Sequence, residues 1–506
     1  MTASSVFTPL PLGQRIPDSP HAVSCSLPTM RDVIGYEEKD PAIARHLTSG
    51  YPRFMLHPYV RQLTAHLVQR ENLAGRVLWL TTTARMADDL VAWLGPSNAR
   101  RFEHDGLQGV THASDSALSA QAKTCLQNAG GFLSSREAED HLFRLGLIPA
   151  VAPETTVSLD QAEPTVQAIL GRAYPGTDDT DRHLTPNGMN AIFAAWRTSA
   201  TLQASRGRTV WIQLGWLYLD TIALLKRLTD APTDYLYLPD VNDLGALAAA
   251  CRAAGDRLGG LVTEAPTNPL VQTSDIAAVS DLVHAQGGHV IIDPTLVSPF
   301  NVDVLAHADL IANSLTKYSA SEGDLVAGAV IVNPDRSDAA TLRRHLRATV
   351  DPIYSRDLQR LAAQIGDYEE VVARTNANAT AVVDFLRNHS GVAELYWSGQ
   401  PACAANYDKI ARHPGAVGSI ISFRVKGPLA PFYDRLVLPK GPSFGMKNTL
   451  ICPFIYLAHY DLVRSEAGRA ELAASGLHPE LLRLAVGGEP TEAIIAALAD
   501  AFAALG

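Results

Sequence analysis

Apolar and polar positions along the chain fall into two alternating rhythms between residues 151 and 335. Helix-like stretches with apolar residues every three to four positions span 190–200, 221–228 and 244–254. Short apolar runs fit strands at 209–212, 235–238, 261–262, 290–292 and 310–312. This β-α-β-α rhythm predicts a mostly parallel sheet covered by helices. Residues 61–150 read as a small α/β unit of their own. It carries helix-like stretches at 60–69, 84–94 and 134–145 and a strand at 77–80. Before it, residues 1–60 carry Pro9, Pro11, Pro17, Pro20, Pro28 and Pro41. Proline at that density prevents long regular elements, so an extended arm lying on another surface is expected. Residues 336–506 begin with a long helical stretch, 337–386. They continue as an α+β region whose clearest strand is 419–425.

Composition narrows the class. At 506 residues the chain is too long for one simple core, which suggests several domains. With 47% hydrophobic and 19% charged residues it is neither disordered nor membrane-spanning. The formal charge is −10 and the 42 Lys and Arg residues are dispersed, which disfavours a nucleic-acid partner. Five widely spaced cysteines without a C-x-x-C pair suggest neither a disulfide framework nor a structural zinc site, so no metal is expected. The first dozen residues lack the basic and apolar regions of a signal peptide, and no apolar run reaches membrane-spanning length. A cytoplasmic location and no membrane partner follow as expectations.

The candidate chemistry lies at the ends of the predicted strands. Val290-Ile291-Ile292 ends in Asp293, and the next strand leads into Ser314-Leu315-Thr316-Lys317-Tyr318. Open α/β sheets bind ligands at such strand ends. A lysine able to form a Schiff base and a buried carboxylate able to hold a pyridine nitrogen protonated are the pair that pyridoxal 5'-phosphate requires. Upstream, Glu264-Ala265-Pro266-Thr267-Asn268-Pro269 follows another strand, and Asn268 is placed to reach the phenolic oxygen of that ring. No G-x-G-x-x-G opens a helix after a strand, so a plain dinucleotide enzyme is disfavoured.

With these segments in order, the chain resembles the Cys/Met-metabolism family of fold-type I pyridoxal phosphate enzymes. Ser26-Leu27-Pro28-Thr29, Gly35-Tyr36-Glu37-Glu38, Gly50-Tyr51-Pro52-Arg53, Gly441-Pro442-Ser443-Phe444-Gly445 and Leu457-Ala458-His459-Tyr460 are similar to the long, fungal-type cystathionine γ-synthases. The resemblance implies a mostly parallel, seven-stranded-type sheet in a cofactor-binding domain (151–335). It also implies an arm (1–60) reaching the neighbouring active site, an inserted accessory unit (61–150) and an α+β C-terminal domain (336–506).

Residue by residue, the resemblance assigns Lys317 to the Schiff base, Asp293 to the pyridine nitrogen and Tyr218 to stacking on the ring. The phosphate falls to Gly188 and Met189 at a helix start, to Ser314 with Thr316 as helper, and to Tyr51 and Arg53 of the partner subunit. Arg483 would clamp the substrate carboxylate, and Ser443 would orient the substrate and Lys317. A subunit alone would then hold an incomplete site, which makes a dimer obligatory and a tetramer the expected homo-oligomer. The implied reaction on a small amino-acid substrate is γ-replacement or γ-elimination through a shared vinylglycine-level intermediate, with Lys317 as proton shuttle assisted by Tyr51 or Tyr218. The first expectation is a cystathionine γ-synthase-like transferase acting on O-acylhomoserine and cysteine. The alternative is a specialised γ-lyase or γ-substitution enzyme acting on an unusual, for example halogenated, amino acid to give an unsaturated or modified one. A remote alternative is a non-catalytic regulatory protein on the same fold. Asp220 stands where methionine γ-lyases carry cysteine, which argues against that activity. Nothing in 61–150 looks catalytic, and its role stays open between regulation, assembly and bulk at the mouth of the site.

Overall fold

The computed structural model describes residues 6–229 and 231–505; residues 1–5 of the expected arm lie outside it. At its centre is a seven-stranded sheet. Its order is Arg182–Thr185, Gly328–Val332, Leu310–Ser314, His289–Asp293, Leu258–Glu264, Val210–Leu214 and Tyr235–Leu238. Gly328–Val332 alone runs antiparallel to its two neighbours; the other pairings are parallel. Val290-Ile291-Ile292 within His289–Asp293, and the strand Gly328–Val332, are continuous apolar runs because helices cover both faces of the sheet.

Residues 58–144 form a three-stranded antiparallel sheet with four helices. Leu107–Ala113 is the central strand between Arg76–Thr81 and Ala99–His104. Asp105-Gly106 turns the hairpin with both residues at positive φ, 46° and 82°. The unit does not stand apart. Met86, Leu90 and Leu126 pack in one core with Ile192, Phe193 and Leu224 of the sheet-covering helices. Its helix Ser116–Ala129 therefore lies directly against Gly188–Ala204 and Leu219–Leu228.

The C-terminal region carries a four-stranded antiparallel sheet ordered Val392–Tyr396, Ile420–Val425, Leu482–Ala485, Leu450–Pro453. The arm packs on that region. Leu27, Met30 and Val33 join its core with Phe432, Leu482 and Leu484. The arm helix Met30–Glu37 starts at Thr29, whose hydroxyl accepts from the Asp32 amide while the Asp32 carboxylate accepts from the Thr29 amide. All five cysteines are free and buried. Among the described residues no helix is long and apolar enough to cross a membrane, and no cluster of metal-ligating side chains forms.

Candidate functional site

A cavity of about 270 Å³ opens where the central strands end, and the arm, the inserted unit and the C-terminal region all contribute to its walls. Asp293 ends its strand there, with Oδ1 accepting from the Thr295 amide at 2.8 Å. Burial raises its pKa, against the hydrogen bonds from Thr295 and the charge of Lys317. Glu264 ends the neighbouring strand in register with Asp293. Burial first, and then Asp293, push its pKa well above the carboxylate range. Its oxygens accept from the amides of Tyr218 at 2.6 Å and Asn268 at 3.0 Å.

Lys317 lies in the turn after Leu310–Ser314. Its Nζ donates to Ser443 Oγ at 3.2 Å and Tyr51 Oη at 3.4 Å, and sits over the Tyr51 and Phe444 rings at 4.6 and 4.7 Å. Burial lowers its pKa, so the free base is more accessible than on an exposed lysine. Ser443 holds φ of 88°, a strained value for a side-chain-bearing residue, and meets Lys317 directly. Tyr51 differs from Tyr218 in its acidity. Burial works against the Tyr51 phenolate, but Lys317 and Arg53 outweigh it and bring the group below the usual phenol range. Burial, aided by the charge of Asp220 and Tyr51, drives Tyr218 well above that range against the pull of Arg53.

Gly188 begins the helix Gly188–Ala204, capped by Asn187, whose Oδ1 accepts from the Asn190 amide at 3.0 Å. A Cβ at Gly188 would stand 2.6 Å from the Ser314 Cβ and 2.7 Å from its Oγ, so only glycine allows the two segments to meet. The amides of Gly188 and Met189 have no hydrogen-bond partner among the described residues. Arg483, 5% exposed, donates to Asn268 Oδ1 at 3.2 Å and to the Ser443 carbonyl at 3.0 Å; its Nε has no partner.

The structure brings most of the expected residues to one cavity and leaves Thr316 outside its lining. Thr316 is fully buried, and its hydroxyl is engaged at 3.2 Å with both the carbonyl and the amide of Ala327. It is not among the residues that line the cavity, and these bonds tie the turn that carries Lys317 to the approach to the strand Gly328–Val332. Tyr51 and Arg53 lie in the cavity of their own chain, where the resemblance expects a partner's residues. The inserted unit's helix Ser116–Ala129 meets the Asp220 to which Arg53 is paired. Arg53 Nη1 bonds Asp220 at 2.7 Å, Nη2 bonds Tyr218 Oη at 2.6 Å, and Gln127 and Asn128 bond Asp220 from the other side. The inserted unit, whose role the sequence leaves open between regulation, assembly and bulk at the mouth of the site, lines the cavity with Lys123 and Gln127. Glu264 also received no role from sequence, although an acid closing a strand beside Asn268 was the signal for it.

A family model described as Cys/Met metabolism PLP-dependent enzyme matches residues 178–503. The L-2-amino-4-chloropent-4-enoate dechlorinase/desaturase of Streptantibioticus cattleyicolor is 40% identical over 503 residues, spanning 99% of each chain. The cystathionine gamma-synthase of Neurospora crassa is 26% identical, covering 96% of this chain and 97% of its own. Among solved structures, cystathionine gamma synthase from Xanthomonas oryzae pv. oryzae in complex with cystathionine matches with a TM-score of 0.58 at 22% identity. That match covers 71% of this chain and 93% of the other. The fold is that of the fold-type I enzymes.

The residues present fit pyridoxal phosphate. Two unpartnered amides stand at a helix start beside a glycine that admits Ser314, an arrangement that suits a phosphate. Asp293 offers a buried acceptor to a cationic ring nitrogen, and Lys317 Nζ lies in the same cavity. The unpaired Arg483 Nε calls for an anion.

Proposed function

The chain belongs to the Cys/Met metabolism PLP-dependent enzyme family, and from that premise we propose that it removes a halide and a proton from a γ-halogenated amino acid to give an unsaturated one. The observation that carries this reading is the end-to-end identity of 40% with a dechlorinase/desaturase, against 26% with a cystathionine gamma-synthase. The alternative read from sequence is thereby favoured over the γ-synthase.

When bound, pyridoxal phosphate supplies an electron sink that acidifies the substrate's Cα–H and Cβ–H. It would be held by Lys317, Asp293, Gly188, Met189, Ser314, Tyr218, Asn268, Tyr51 and Arg53. Arg483 binds the substrate carboxylate through a charge-assisted fork, fixed by Asn268 and the Ser443 carbonyl. Lys317 Nζ takes the Cα proton and, helped by Tyr51 Oη, carries protons between Cα, Cβ and the outgoing carbon skeleton. Tyr51 suits the base role better than Tyr218, because their acidities are displaced in opposite directions. Two protons leave carbon, one returns, and the halide departs from Cγ with its bonding pair, so the substrate loses one H–X and gains one degree of unsaturation. Halide is the anion of a strong acid and needs no proton to leave, which suits a Tyr218 held far from ionisation.

A second reading has its own observation. Lys39 and Lys123 both line the cavity, and they supply cations for the carboxylate of a second amino acid, as replacement of an O-acyl group by cysteine would require. One experiment separates the two. The purified holoenzyme is given L-2-amino-4-chloropent-4-enoate, then O-acetylhomoserine with cysteine, and chloride release and product masses are recorded. Chloride with a product lighter by one HCl is expected; cystathionine without chloride release would replace the first reading by the second.

A further inference from the structure

We infer that Asp220 is a positioning residue for Arg53, and that the inserted unit sets Asp220 through Gln127 and Asn128, so that this unit braces the phosphate end of the cofactor site. The inference rests on reading Arg53 and the Gly188 turn as the holders of that phosphate.

Asp220 is 1% exposed and Arg53 7%. A carboxylate buried this deeply must have each oxygen satisfied. Oδ2 accepts from Arg53 Nη1 at 2.7 Å, while Oδ1 accepts from Gln127 Nε2 at 2.8 Å and Asn128 Nδ2 at 3.2 Å. Arg53 is thereby oriented by a carboxylate on one terminal nitrogen and by Tyr218 Oη on the other. The Tyr51, Phe54 and Tyr218 rings surround its guanidinium at 5.2, 5.7 and 5.1 Å. One hydrogen on each terminal nitrogen is spent on this frame, Tyr51 is a further partner of the guanidinium, and the donors that remain can meet an anion.

The end of the same helix reaches the other half of the cradle. Asn187 Nδ2 donates to the Gly130 carbonyl at 2.8 Å, and Asn190 Nδ2 to that of Ala129 at 3.2 Å. Gly130 closes Ser116–Ala129 at φ of 66°, and a Cβ there would lie 2.3 Å from Asn187 Oδ1 and 2.5 Å from the Asn190 amide. One helix of the inserted unit therefore fixes Arg53 through Asp220 and the glycine turn through Asn187. Bulk at the mouth of the site would not require contacts of this kind.

The test is a double-mutant cycle on cofactor affinity, read from quenching of tryptophan fluorescence as pyridoxal phosphate is titrated into full-length apoprotein. Arg53→Ala weakens binding on the order of 10²-fold and Asp220→Asn about tenfold. The double variant binds no more weakly than Arg53→Ala alone, because Asp220 acts only through Arg53. Should Asp220→Asn not fold, Gln127→Ala with Asn128→Ala carries the same test with a shift of about threefold. An unchanged affinity in Asp220→Asn (or in the Gln127→Ala/Asn128→Ala stand-in) beside a weakened Arg53→Ala overturns the inference, as does simple additivity of the two changes. Unchanged affinity in Arg53→Ala removes the phosphate reading of Arg53 and the inference with it.

Discussion

The two halves of the site are held by different physics. Asp293, Ser314 and Lys317 hang from neighbouring strands, where Asp293 pairs in register with Glu264 and the next strand runs parallel to it. Their placement follows from backbone ladders, and any sequence that makes the sheet delivers them. Tyr51, Arg53, Asp220 and Gln127 have no such ladder between them. They come from the arm, the sheet-covering layer and the inserted unit, and meet through side-chain contacts between residues far apart in sequence. The first half depends on topology and the second on a buried network whose members stand or fall together.

Changes that strike each half in turn separate these modes. The largest effect belongs to Lys317→Ala, which leaves the strands intact yet cuts turnover by on the order of 10⁴-fold or more, read as chloride release from the holoprotein. Near-normal turnover with the cofactor in place would remove Lys317 from the chemistry. Next comes Arg483→Lys, which keeps the charge but loses the planar fork. KM for the amino acid rises by about ten- to a hundredfold while kcat changes less. A drop in kcat alone would mean that Arg483 serves the chemical step and not carboxylate binding. The third addresses the arm. Lys317→Ala and Arg53→Ala proteins, unfolded and refolded as a mixture, recover no activity beyond their sum if each chain's Arg53 serves its own cavity. A partner-supplied arm in a dimer would restore about a quarter of the sites, which would reinstate the arrangement that the resemblance implies.

The difference between the halves also explains what the sequence could reveal. Asp293, Asn268, Ser314 and Lys317 each follow an apolar run ended by polar residues, so their strand-end position is readable from a local window. Arg483 betrays itself as a charge within an apolar strand, Leu482–Ala485, all of it buried. Gln127 and Asn128 give no such signal. They sit near the end of an ordinary amphipathic helix, and only the packing of that helix against Gly188–Ala204 turns them toward Asp220. The helix Leu159–Ala173 carries Pro164 in its interior, a residue that in a local window reads as a breaker. Thr316 shows what a local window leaves out: its hydroxyl meets the backbone of Ala327 eleven positions away.

The smallest change tests whether the brace acts on both parts of the cradle. Asn187 does two jobs, capping the helix by accepting from the Asn190 amide and donating to the Gly130 carbonyl at 2.8 Å. Serine caps a helix about as well as asparagine, but its hydroxyl is too short to reach Gly130 as well. In Asn187→Ser the Gly188 and Met189 amides stay available, so cofactor affinity falls by no more than about threefold. The buried Gly130 carbonyl loses its partner and apoprotein stability drops by about 1 kcal/mol, measured by urea unfolding. Affinity lost to the same extent as in Asp220→Asn would mean that the glycine turn leans on the inserted unit as heavily as Arg53 does. The contrast would then run between the strand ends and everything the inserted helix touches, with the phosphate turn on the dependent side.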